Sequence, residues 1–110
     1  MKLTKTQSKA HQQALDLVHS DRALTWDERK FILDSYAEAQ GQLNTLVGAF
    51  FTPDGLACDL SIEVCPDGRG IVDLCAGIGA LAFACEHKRV PITCVEACEA
   101  YVTVGRRVMP

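Results

Sequence analysis

Asp73-Leu74-Cys75-Ala76-Gly77-Ile78-Gly79 sets two glycines one residue apart just after an aliphatic run, with an acidic residue at the head of the loop. Glycine lets the backbone turn tightly, and its missing Cβ leaves room for a ligand against the main chain. Glu96 ends the next apolar run about 20 residues after the glycines, where a carboxylate can accept both ribose hydroxyls of a nucleoside. Each feature has a plainer explanation, since glycines also end strands and a carboxylate near a helix start is favoured by the helix dipole. It is their spacing that points to a nucleoside-binding loop.

The choice of nucleoside follows from charge. A dinucleotide site generally needs a third glycine and a helix N-terminus open to pyrophosphate, whereas Gly79 is followed by Ala80-Leu81-Ala82 and the loop opens on an acid. An acidic residue repels phosphate and suits an ammonium. S-adenosylmethionine carries a cationic amine and a sulfonium but no phosphate, so Asp73 and Glu96 form a chemically matched pair for it. A dinucleotide-binding fragment is the weaker alternative.

The elements that must position these residues can be read from periodicity. Leu3 to His19 has loose helical spacing with good helix formers between its apolar positions. Thr25-Trp26-Asp27-Glu28 is a capping box that opens a second helix, with Phe31, Ile32, Tyr36 and Ala39 as its apolar stripe and Gly41 as its stop. Pro53 suits the first turn of a third helix running to about Cys65, and Pro66-Asp67-Gly68 ends it. Gly70 to Leu74 and Ile92 to Val95 read as buried parallel strands. Ile78 to Glu86 and Ala97 to Arg107 read as the helices that follow them. The expected fold is α/β: N-terminal helices, then a truncated Rossmann-like β-α-β-α unit, in one domain over residues 1–110 with a helical lead-in (1–47) and the cofactor-binding part (48–110).

Phe50-Phe51-Thr52-Pro53, then Asp73 to Gly79, then Val95-Glu96 resemble, in order, the first three motifs of the N6-adenine DNA methyltransferases whose cofactor-binding half precedes the catalytic half. The resemblance covers roughly Gly48 onward. It implies that the Phe-Thr-Pro segment packs over the methionine part of S-adenosylmethionine, that the glycine loop lies under it, and that the acid holds the ribose. Phe51, Thr52, Pro53, Asp73, Cys75, Gly77, Gly79 and Glu96 become the cofactor-contacting candidates. The family's catalytic tetrapeptide, Asn or Asp followed by Pro-Pro and Tyr or Phe, grips a flipped adenine, and it does not occur in this sequence. The expectation is a cofactor-binding piece, truncated before its catalytic motif and not catalytic alone. DNA would be engaged only if another chain supplied the catalytic half. The alternative is a non-enzymatic interaction protein on the same scaffold, such as a phage or mobile-element inhibitor of a host defence complex.

Composition supports a globular chain rather than a nucleic-acid binder. The 110 residues are 48% hydrophobic and 23% charged with a net charge of -3, and the pI is near 5.5, whereas phosphate-binding surfaces usually show a basic excess. Lys2, Lys5 and Lys9, and the pair Arg106 and Arg107, read as solvated faces. Met1 to Leu15 is polar and lysine-dotted, unlike a secretion signal, and no apolar run approaches a membrane span, so a cytoplasmic protein without membrane contact is expected. The six cysteines include no CxxC pair and mostly sit among apolar residues, which predicts free core thiols. His11, His19 and His87 read as surface or capping residues, and Trp26 as a packing residue. A sheet of two parallel strands leaves open edges, so self-association or a protein partner is expected to complete it.

Overall fold

The computed structural model of the chain describes residues 3–36 and 51–110. The chain divides into two compact units, residues 1–50 and 51–110. Among the described residues it combines helices with one small parallel sheet, an arrangement compatible with α/β.

The first unit pairs α1 (Lys5–Val18) with α2 (Trp26–Ser35). Both begin with a capping box, the pattern read in the sequence for α2 but not for α1. The Gln7 amide donates to the Thr4 hydroxyl at 3.2 Å while the Thr4 amide donates to Gln7 Oε1 at 2.9 Å, which satisfies two of the amide donors that a helix start leaves open. Thr25 and Glu28 make the same exchange at 3.2 and 2.9 Å. Glu28 also accepts from both terminal nitrogens, Nη1 and Nη2, of the Arg22 guanidinium, at 2.8 and 2.5 Å. Ala14, Val18 and Ile32 form the core, and His11 is buried with its ring 4.9 Å from that of Tyr36. Helix α2 ends at Ser35, and Tyr36 is extended with ψ 116°. Ala39 and Gly41, expected in the stripe and stop of this helix, lie outside the described residues.

The second unit runs α3 (Asp54–Glu63), β1 (Ile71–Asp73), α4 (Ala80–Ala84), one 3-10 turn (Glu86–Lys88), β2 (Ile92–Cys94) and α5 (Glu99–Val108). Pro53 is the residue before the first helical turn rather than inside it, and Val64 is already extended, so α3 stops short of Cys65. Pro66 disfavours helical backbone at Cys65, the residue before it, and the helix ends two residues earlier still, at Glu63. The strands are parallel, with Ile71, Val72 and Asp73 opposite Ile92, Thr93 and Cys94. Ile78, Ala82, Phe83, Cys85, Tyr101, Val104 and Val108 are buried in the core.

Two expectations need correcting here. The helix expected over Ile78–Glu86 spans only Ala80–Ala84, because Gly79 sits at φ +95° and delays its start, and the chain tightens into a 3-10 turn closed by Arg89 at φ 55°. The strands are also less buried than their aliphatic runs predict. Val72, Leu74 and Val95 are 62%, 73% and 47% exposed. Alternating residues share one face of a strand and parallel neighbours align, so these three share one face, which is left open. Among the described residues no helix is long and apolar enough to cross a membrane.

The cysteines also differ from expectation. Cys85 is buried and Cys98 half-buried, but Cys58, Cys65, Cys75 and Cys94 are exposed, and all six are free thiols. Cys58 lies on α3, Cys65 just after it, Cys75 in the loop after β1 and Cys94 at the end of β2. Trp26 is likewise about half exposed, at 54%, despite its expected packing role.

Candidate functional site around the glycine loop

The loop between β1 and α4 is held from both sides. Val95 N donates to Asp73 O at 2.8 Å and Ala76 N to Val95 O at 3.0 Å, so strand-like pairing continues past the end of β1 and carries the loop alongside Glu96. Gly77 N then donates to Glu96 Oε2 at 2.7 Å, and Cys98 N donates to Oε1 of the same carboxylate at 2.8 Å. One carboxylate therefore ties the glycine loop to the start of α5. Charge-assisted bonds of this kind are shorter and stronger than neutral ones. Helix α5 begins at Glu99 and not at Ala97, with Cys98 still in extended backbone just before the first turn.

Gly77 is at φ +54°, and a Cβ there would lie 3.4 Å from the Phe51 ring. Backbone conformation and close approach together call for glycine at this point. Phe51 meets Tyr101 of α5 edge-on, with ring centroids 4.9 Å apart. Gly105 also brings α5 near, since a Cβ added there would lie 3.8 Å from Gly77 O. Phe51 from before α3 and Glu96 from after β2 thus meet at Gly77, with Tyr101 of α5 against the Phe51 ring.

Asp73 serves the loop differently. Its Oδ1 accepts the Cys75 amide at 3.1 Å, a side-chain turn of the kind aspartate favours, while its Oδ2 is buried with no hydrogen-bond partner among the described residues. A buried carboxylate oxygen without a donor is costly, and it would suit an incoming hydrogen-bond donor or cation.

The candidate residues divide between two cavities. Gly77, Gly79 and Glu96 line one of about 430 Å³, whose other walls include Ile92 and Cys94 of β2, Val95 just after it, Val102, Gly105 and Arg106 of α5, and Met109 just after that helix. Asp73 and Cys75 line a second, mostly apolar groove of about 460 Å³ beside α3, with Leu60, Val64, Ile71 and Leu81. Phe51 touches the loop between them, whereas Thr52 and Pro53 line neither cavity and lead into α3. The sequence reading missed the α5 wall. Its signal was present, because Val102 and Arg106 are four residues apart and so share one face of α5.

Among the described residues no group of three or more His, Cys, Asp and Glu side chains is placed to hold a metal ion. Burial raises the Cys85 thiol above its ordinary value against the opposing pull of Lys88, which keeps it protonated and unreactive. His87 caps the end of α4, with Nδ1 2.8 Å from Ala84 O. Comparison with protein families, with curated proteins and with solved structures finds no match to this chain.

Proposed function

We propose that the second unit is a Rossmann-like S-adenosylmethionine-binding module, akin to the opening of an N6-adenine DNA methyltransferase, that does not transfer the methyl group by itself. The convergence of Phe51, Gly77 and Glu96 on one loop peptide carries this reading. The three motifs come from separate parts of the sequence, and nothing in a strand-to-helix turn requires them to meet. The residues also fit the cofactor chemically. Each Glu96 oxygen accepts one amide and keeps a lone pair for a ribose hydroxyl. The adjoining cavity of about 430 Å³ is of the size that small-molecule sites occupy. The partnerless Asp73 Oδ2 suits the methionine ammonium. When bound, the cofactor would supply an electrophilic methyl group. Phe51 would exclude water above the loop, and Glu96 would orient the ribose. Titration calorimetry with S-adenosylmethionine tests the reading: saturable binding is expected, and no heat at millimolar cofactor would sink it.

A second reading is favoured by the exposed Val72, Leu74 and Val95 together with Ile62 on α3, which is 70% exposed. Open apolar faces mark interaction surfaces, so the scaffold would act as a non-enzymatic binding protein. A stoichiometric partner that Leu74→Lys releases and that S-adenosylmethionine does not affect would favour this reading.

A further inference from the structure

The groove of about 460 Å³ is lined by the unbroken run from Ile71 to Cys75 and by no residue of β2. Side chains alternate between the two faces of a strand, so a groove that touches successive residues follows the edge of the strand. It is the edge away from β2. Ile71 N donates to Pro91 O and Asp73 O accepts from Val95 N, which turns these two residues towards β2 and directs the N–H and C=O of Val72 to the open side. Among the described residues β1 has no strand neighbour but β2. An unpaired edge is a template for another strand, and β1 carries neither lysine nor proline to blunt it.

Helix α3, on the far wall, sets the chemistry of the occupant. It buries the small Ala57 and Ser61 and exposes Leu56, Leu60 and Ile62, so its large apolar side chains face away from the core. Leu56, Asp59, Leu60 and Glu63 are three and four positions apart and share one face of the helix. Leu60 places that face at the groove. Asp59 and Glu63 are exposed and enter no ion pair among the described residues, and no basic residue lies on α3. The groove itself is apolar except for Asp73. A second copy fits this negative rim poorly, because a two-fold contact sets the patch against itself and its acids near acids. Nucleic acid and anionic lipid are repelled for the same reason.

We propose that the free edge of β1 takes an extended segment of another protein as a third strand, with apolar side chains against Leu60, Val72 and Leu74 and basic side chains at Asp59 and Glu63. The inference rests on the open-face reading above and adds to it the edge that is used and the chemistry of the partner. Main-chain bonds to Val72 give affinity, and the charged rim selects among apolar segments.

Fluorescence anisotropy of the full chain with three capped, labelled octapeptides tests this. One alternates valine and lysine, one alternates valine and glutamate, and the third is the valine–lysine peptide with its amides N-methylated. The lysine peptide is expected to bind about 10-fold more tightly than the glutamate peptide, since exposed ion pairs are individually weak but here change sign. N-methylation should weaken it by about 10-fold, through lost main-chain hydrogen bonds. Asp59→Lys should erase the charge preference, whereas Asp21→Lys, an equal change of net charge in the first unit, should leave it. Both positions are exposed, so an unchanged melting temperature shows that each variant is folded. Equal binding of the lysine and glutamate peptides, or an equal effect of the two substitutions, overturns the basic partner. Equal binding of the N-methylated peptide overturns strand addition. Binding of none of the three at millimolar peptide overturns the whole inference, and the open-face reading is decided apart from it, by whether Leu74→Lys releases a stoichiometric partner.

Discussion

The Gly77 amide and the Glu96 carboxylate, 19 positions apart in the chain, are joined by a 2.7 Å hydrogen bond. The second oxygen of that carboxylate takes the Cys98 amide at 2.8 Å. The acidic residue that the sequence offers as a ribose ligand thus also fastens the glycine loop to the start of α5. The two roles are compatible because a carboxylate oxygen can accept more than one donor.

Glu96→Gln keeps the shape but leaves one of the two amides facing an NH₂ group. The second unit should lose about 1–3 kcal/mol of stability, the cost of an unsatisfied part-buried donor, as read by urea unfolding. Binding of S-adenosylmethionine should weaken in parallel. A variant as stable as the wild type would show that the bridge contributes nothing to the fold.

Phe51→Ala removes the ring that lies over Gly77 and meets Tyr101 at 4.9 Å. A fully buried phenylalanine costs several kcal/mol to truncate, and this one is half-buried, so a loss of about 2 kcal/mol is expected. Hydrogen exchange should speed up at the Gly77 amide more than at the core amides of α5. Uniform acceleration across the unit would mean that Phe51 contributes general packing and does not cover the loop specifically.

Gly70→Ala meets two obstacles at once. Gly70 sits at φ +132°, and an added Cβ would fall 2.7 Å from Pro91 O, the oxygen that accepts the Ile71 amide at 2.8 Å where the two strands begin to pair. Backbone strain alone costs about 1–3 kcal/mol, and the clash adds to it. The melting temperature of the second unit should fall by several degrees. A neutral result would show that the strands can separate at this end without penalty.

Acid should weaken the first unit in two stages. Burial holds the His11 imidazole below its ordinary value of 6.5, so the unfolded chain takes up this proton first. The contribution of the neutral imidazole is complete above about pH 6.5 and is lost as pH falls through and below it. Glu28 is drawn from 4.5 down to about 2, chiefly by its bond to Arg22 and then by the Thr25 amide. Its contribution is present above pH 4.5 and is lost as pH falls towards 2. Circular dichroism across pH 7 to 2 should show both stages, with His11→Gln removing the first and Glu28→Gln the second. Persistence of the first stage in His11→Gln would assign it to another group.

Local signals in the sequence determined the order of the described elements, the capping box at Thr25 and Glu28, the turn after α3 and the glycine loop, because each depends on residues close to one another in the chain. Three choices needed the tertiary structure. The length of α4 depends on the left-handed backbone at Gly79 and Arg89, which periodicity does not register. The exposure of Val72, Leu74 and Cys94 depends on how much structure stands over the strands, and an aliphatic run looks the same covered or bare. The partition of Asp73 and Glu96 between two cavities, and the presence of Arg106 beside Glu96, follow from how α3 and α5 pack on either side of the loop. Sequence spacing therefore named the chemical groups, while helix packing decided which of them share a cavity, since a contact between distant segments depends on the path of the chain between them.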